Sequence, residues 1–492
     1  MCWGFFLLSL VIQAQDKEQK FIRITNADSL VFDQNNSQYR RLIGNIGIEH
    51  NGSTINCDSA YILIDNNFFH GYGNVVINQG DSIKAYGEEV KYKGNEKSGI
   101  LSQNARLFQD DSKIYSENIY FDQNQNIAYW LDFGKIIREN STLTSKKGYF
   151  YTQRDYFIFS DSLVLIDEGY LLYSDTLGYN PNTKTADIFG PTTIINEGDT
   201  IYSEWGTFNS DTQIGTFENN VVITSDNQKL YADSVYFNQA DSIGHAIGNV
   251  KIKEINNDVW IYGEKAFQNH AENTGVIEGE PLMIQIFDGD SLFLHADTFK
   301  IEQIENHKEI YAYPAVKFFK TDMQGSCDSL HFSPNDSLIK MLGEPIIWSE
   351  KNQITGDTIF IETYDSEIKH LFVFEHAFMI EEVDSIRYSQ IKGKTMTANF
   401  IEGKINQILF KGNGETNYWA LDEEDLLIGI NQSKCSSIRI KMKENEIQTI
   451  SFLEKPSSIF SPPLSTPVGD LLLKDFIWHS QKRPASKEDI FK

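Results

Sequence analysis

The chain has 492 residues, a formal net charge of −26 and 13% aromatic residues. Such acidity excludes a sequence-independent nucleic-acid binder, which needs a basic face for phosphates, and disfavours docking on an anionic membrane surface. The aromatic content excludes a disordered acidic tail.

Residues 1–15, MCWGFFLLSLVIQAQ, carry no charge and run apolar from Trp3 to Ile12. That stretch is too short for a bilayer span, which needs roughly 18 apolar residues, and suits a signal peptide cut near Ala14 or Gln15. It predicts a secreted or periplasmic protein whose mature chain starts close to Asp16.

Residues 16–454 repeat themselves, a feature to be sought before any other. Residues 73–92 read GNVVINQGDSIKAYGEEVKY and residues 219–237 read NNVVITSDNQKLYADSVYF. Residues 190–208 and 248–267 follow the same plan. Starts at 44, 73, 105, 134, 161, 190, 219 and 248 lie 27 to 32 residues apart. From about 280 the spacing loosens, which marks an expected break between two sub-domains. The runs are short, β-branched and aromatic, separated by Gly, Asn and Asp, and so read as strands. Roughly three strands in about 29 residues leave connections of a few residues, which favours antiparallel pairing over parallel crossovers. A parallel β-helix is the structural rival. Residues 455–492 gather Pro and Ser and form an expected irregular C-terminal extension.

The second strand of each repeat has its own grammar: YADSVYF at Tyr231, YSENIYF at Tyr115, YSDTLGY at Tyr173, NCDSAYI at Asn56, SCDSLHF at Ser326 and TGDTIFI at Thr355. The second place is small and the third acidic. An acid row inside a dry core is costly, so the acids Asp58, Asp175, Asp233, Asp297, Asp328 and Asp357 belong outside and the small residues inside. Apolar residues two and four places after the acid break strict alternation, which a bulge near the acid would reconcile.

This pattern resembles the OstA/LptA-like family. The resemblance rests on the signal peptide, on Gly73, Asn74, Val75 and Ile77 with Ile83 and Ala85, and on Gly248, Asn249, Val250 and Ile252; the opening segment 22–32, IRITNADSLVF, is also similar. It covers about residues 20–445. It implies an extended antiparallel β-jellyroll of two V-arranged sheets, about a dozen tandem repeats long, whose open interior takes lipopolysaccharide acyl chains. The chain is then no enzyme but a periplasmic lipid-binding bridge toward the outer membrane, itself associated with that membrane in the fullest form of the reading. Its ligand is lipopolysaccharide or a related glycolipid. Its protein partners are other envelope transport proteins, joined through edge strands.

Candidate groove residues are Val75, Ile77, Ile83, Ala85, Val221, Ile223, Leu230, Ala232, Val250 and Ile252. Alternation alone does not separate an open groove from a closed core. Cys57 and Cys327 share the small-residue place in distant repeats, Cys435 resembles them, and all three read as buried small hydrophobes rather than bridges. The acids read as a solvated strand face, not as calcium turns or catalytic carboxylates. His370 and His376 lack metal-ligand spacing. Gly393-Lys394-Thr395 imitates the end of a phosphate loop, but Tyr388 stands where its first Gly is required. Catalytic residues, metal and cofactor are therefore expected to be none. Two other readings stay open: a polysaccharide-acting enzyme on a parallel β-helix, needing paired carboxylates about 5 to 9.5 Å apart, and a structural surface repeat with a filled interior.

Overall fold

The structure, a computed structural model, describes residues 21–492 except 33–37, 168, 197, 256–258, 288, 305–306, 365–366, 403, 423, 425, 444–445, 464 and 466. The expected signal peptide, residues 1–15, lies outside the described residues. Among the described residues the elements are forty strands and three short 3-10 turns. Every strand pairing described is antiparallel, which removes the parallel β-helix. The shortest links are hairpin turns of the kind the strand twist prefers: Asn51 (φ 48°) and Gly52 (φ 75°) join the paired residues His50 and Ser53.

Strands near the start of the chain are longer than the runs in the sequence. The segments SGILS and ARLFQ belong to one strand, Ser98–Gln109, bent at Gln103 and Asn104. The bends share one construction. In Phe68–Gln79, Gly73 and Asn74 both adopt positive φ (75° and 45°), and register shifts by one residue against the neighbouring strands. Gly73 leaves no space for a Cβ, which would lie 2.5 Å from Asp58 Oδ2. Asn tolerates the left-handed region better than most residues, and here its Nδ2 donates to Asp58 Oδ2 at 2.8 Å. The strand Ser53–Leu63 buries positions 53, 55 and 57 before Asp58 and positions 60 and 62 after it. The alternation changes phase at the acid, as expected, although the extra residue sits on the neighbouring Gly-Asn strand. The acids Asp58, Asp175, Asp233, Asp297, Asp328 and Asp357 are all exposed.

Bending divides each long strand between two ladders. Residues 113–116 of Ser112–Asp122 pair with Gly134–Arg138 in one ladder (I), and residues 120–122 pair with Ile127–Trp130 in the other (II). The strand Tyr156–Asp167 splits the same way, residues 164–166 to ladder I and residues 156–160 to ladder II. Buried apolar side chains from both ladders face each other, the layered arrangement of a jellyroll. The chain forms two compact units, Met1–Asp211 and Thr212–Lys492. Residue 280 lies inside the second. That unit forks as the first does: in Val259–Asn269, residues 260–262 join ladder I and residues 265–269 ladder II.

The interior of the first unit changes character along the ladders. Around Trp130, Phe150, Phe157 and Phe159 it is solid with rings, Phe150 stacking on Phe157 at 4.2 Å. Gly148 is required there, because a Cβ would lie 2.0 Å from Trp130 Cζ2. Closer to the N-terminus the filling is mostly aliphatic, with the rings of Phe69 and Tyr92 among it.

The C-terminal extension begins with a strand, Ser457–Ser461, paired with Leu427–Lys443. It then turns back as the 3-10 turns Val468–Leu471, Ser480–Lys482 and Asp489–Phe491.

Candidate functional site

The groove residues read from the sequence line the interior between the ladders, which is built from cross-strand pairs. In the first unit Ile77 pairs with Ala85, Val75 with Gly87, and Ile83 with Gln79. In the second, Val221 pairs with Ala232, Ile223 with Leu230, Leu230 with Ile252, and Val250 with Gly263. The ten residues thus form two groups, one per unit. Val75, Ala85, Val221, Ala232, Val250 and Ile252 are buried, whereas Ile77, Ile83, Ile223 and Leu230 are half-buried. In the strands Phe68–Gln79 and Ile214–Thr224 exposure rises with distance from the bend, from Val75 to Ile77 and from Val221 to Ile223, whereas in Tyr39–His50 Ile46, Ile48 and His50 stay buried to the strand end. In those first two strands the interior is closed at the bend and looser toward the far end, the mouth side.

At that mouth in the first unit lies a cavity of about 50 Å³, with Ile77, Ile83 and Ala85 of ladder I facing Ile119, Phe121 and Ala128 of ladder II. A cavity of about 150 Å³ accepts benzene, so an acyl chain enters only if the ladders part. Their lips are joined by polar groups absent from the sequence-derived set. Gln123 Nε2 donates to Ser53 Oγ at 2.8 Å, Tyr92 hydroxyl donates to Gln123 Oε1 at 3.1 Å, and His50 Nδ1 lies 2.7 Å from that hydroxyl. With the Tyr92 proton given to Gln123, His50 Nδ1 is the donor. His50 and Ser53 end ladder I; Tyr92 and Gln123 end ladder II. Burial pushes the Tyr92 phenol well above its ordinary value, so it remains a donor at any physiological pH. In the second unit an ion pair performs the same bridging, Lys308 Nζ of ladder II to Glu254 Oε1 of ladder I at 2.6 Å. Neutral hydrogen bonds contribute about 1 kcal/mol net each, and an ion pair this exposed contributes about 0–1 kcal/mol. The lips are held, but weakly.

Comparison with known families follows this geometry. A family model described as OstA-like protein matches residues 19–175 and 161–233, and one described as LptA/(LptD N-terminal domain) LPS transport protein matches residues 200–367. The chain belongs to the OstA/LptA-like family. All ten groove residues lie within the matched stretches. A search of curated proteins finds no match. Among solved structures the chain is similar to LptH from Pseudomonas aeruginosa, titled the LptA homologous periplasmic component of the conserved lipopolysaccharide transport device. Identity is 11% over 28% of this chain and 95% of that one, with a TM-score of 0.22.

Within this OstA/LptA-like chain the remaining sequence candidates have structural places. Cys57, Cys327 and Cys435 are free thiols. Burial pushes the Cys57 thiol up to about 11 and the Cys327 thiol up to about 12, so neither is a ready nucleophile. His376 takes the place of the corner Asn, its Nδ1 lying 2.9 Å from Asp357 Oδ1. His370 Nδ1 lies 2.8 Å from Glu362 Oε2. Gly393-Lys394-Thr395 lies within the strand Tyr388–Ile401 rather than in a phosphate-binding loop. Among the described residues no cluster of His, Cys, Asp and Glu is arranged for a metal ion, and no helix is long and apolar enough to cross a membrane.

Proposed function

We propose that the chain is a periplasmic bridge that holds the acyl chains of lipopolysaccharide, or a related glycolipid, between its two ladders and passes them toward the outer membrane. The observation that carries this reading is the cavity between the apolar inner faces of the two ladders in the first unit, beside strand ends that polar groups bridge. Each methylene buried contributes about 0.8 kcal/mol, so a long chain gains roughly 10 kcal/mol, more than the few bridges it displaces. An acidic protein gains little from an anionic head group, so the grip falls on the tails and should survive high salt.

Edge strands supply the joints. The strands Arg23–Asn26 and Ser29–Phe32 are exposed throughout, including Ile24 and Leu30, which pair with the buried Ile48 and Leu42. At the other end the edge strand Ser457–Ser461 exposes Ile459 and Phe460. Unpaired edges of this kind add a partner's strand.

A second reading, a structural repeat that carries nothing, is favoured by the ring-filled interior at Trp130, Phe150, Phe157 and Phe159. Photo-crosslinking residues at Ile77, Ile83, Val221 and Ile252 in living cells separate the two. Lipopolysaccharide captured at these positions, and not at outward ones, supports the bridge; capture at none of them leaves the structural repeat.

A further inference from the structure

One row of side chains crosses the outer face of ladder I in the second unit. It runs Asn417, Gln390, Ile380, Gln353, Trp348, Gln324, Phe319 and Phe293, each paired in register with the next. Strand alternation turns this row away from the interior, where the neighbouring row of Ile391, Met379, Ile354 and Ile347 packs. An outward row should be wet. Instead Trp348 and Gln353 are 0% exposed, Gln390 and Ile380 1%.

The C-terminal segment covers it. Gln390 Nε2 donates to Leu471 O at 3.2 Å while its Oε1 accepts from Leu473 N at 2.7 Å. Gln353 repeats the contact six residues on, donating to Ile477 O at 2.8 Å and accepting from His479 N at 2.8 Å. Asn417 Nδ2 donates to Leu471 O at 2.6 Å, and Gln324 Oε1 accepts from Arg483 Nε at 2.8 Å. Gln390, Gln353 and Gln324 sit on every second strand, about 10 Å apart. A fully extended chain of six residues would reach about 20 Å; the intervening short turns shorten it to match. Apolar anchors alternate with these contacts. Leu471 packs on Trp419 and Ile430, Phe476 and Trp478 flank Tyr388, and Phe491 meets His295.

We propose that this row is a peptide-binding site in its own right, and that residues 468–492 are a separable strap occupying it. A side-chain amide offers a donor and an acceptor together, so it reads a peptide's C=O and the N–H two residues later whatever the side chains between. The peptide it fits is irregular, turns every six residues and places a large apolar side chain beside each amide. This mode differs from strand addition, since the backbone bonds go to side chains and no edge is consumed. The strap leaves the terminal edge strand Ser457–Ser461 exposed.

The test uses the full chain with a protease site placed between residues 461 and 468 and cut after folding. The freed peptide should co-elute with the body in gel filtration and exchange with an excess of labelled synthetic peptide 468–492. Gln353→Met with Gln390→Met, which keeps the volume and removes the amides, should weaken retention on the order of a hundredfold. A peptide that is lost at once, that never exchanges, or that binds the double variant as well as the native row overturns the proposal.

Discussion

Asn249 donates through Nδ2 to Asp233 Oδ2 at 2.8 Å, across two strands and 16 residues, the same contact that joins Asn74 to Asp58. Corners of this kind bend the strands Phe68–Gln79 and Ile243–Glu254, and such bends make two ladders out of one strand succession. Gly248 stands at φ 79° with Asp233 Oδ2 2.4 Å from where its Cβ would lie. Gly248→Ala should therefore cost more than the 1–2 kcal/mol of left-handed strain alone, and Asn249→Ala about 1 kcal/mol. Hydrogen exchange of the strands Gln228–Asn238 and Ile243–Glu254 reads this locally, which a whole-chain melt of a two-unit protein does not. Equal protection in Gly248→Ala and the native chain would sink the corner account.

The mouth and the core give different outcomes for the same chemical change. Val221 is 1% exposed and Ile223 on the same strand is half-buried. Val221→Asn places an unpaired amide in a dry interior and should destabilise by about 2–4 kcal/mol. Ile223→Asn should cost under about 1 kcal/mol yet reduce lipid capture several-fold, because its amide keeps water while the lipid loses an apolar wall. Urea midpoints and co-purified lipid, measured on both variants, check the pair. Ile223→Asn with undiminished lipid would remove this residue from the trough.

Opening the lips should help loading. Tyr92→Phe keeps the ring and deletes the hydroxyl that links His50 to Gln123. The expected result is a small loss of stability, about 1–2 kcal/mol, with faster uptake of lipid from detergent micelles, followed by the quenching of a labelled acyl chain. Slower uptake would mean the bridge guides the lipid rather than holding the mouth shut.

Much of this fold was legible because its signals are local. The Gly-Asn pairs, the small residue before each acid and the phase change after it all fall within a few residues, and they led to bent antiparallel strands with outward acids. The acids' partners did not show, since Asp58 and Asn74 meet only once the strands are registered. The lip residues His50, Ser53, Tyr92 and Gln123 span 74 positions of sequence, and each alone reads as an ordinary strand-end polar residue. Buried and half-buried inner positions share one apolar pattern, so Val75 and Ile77 were indistinguishable until the distance from the bend was known. Pro and Ser marked the C-terminal extension as irregular. Nothing in it announced a docked strap, although outward Gln324, Gln353 and Gln390, on alternate strands of one ladder, were a periodic signal.

Acid should loosen the second unit through Glu309. Burial would push its carboxyl up, but hydrogen bonds from His331 and then Ser333 outweigh that and hold it below the usual carboxylate range. His331 Nε2 lies 2.5 Å from Glu309 Oε2, and Ser333 Oγ donates to Oε1 at 2.9 Å. A group whose folded value is depressed adds stability above its unfolded value, about 4.3 for Glu, and loses it as pH falls through the folded value. Glu309→Gln carries no such titration and leaves the His331 and Ser333 donors with a poorer acceptor, at a cost of about 1–3 kcal/mol at neutral pH. Hydrogen-exchange protection of the strands His307–Tyr313 and Ser329–Ser333, compared between the two proteins, should therefore differ most at pH 7 and converge as the pH approaches about 3. A gap that stays constant over that range would show that Glu309 acts by shape alone, its charge contributing nothing to the packing of Tyr311 against His331 beside it.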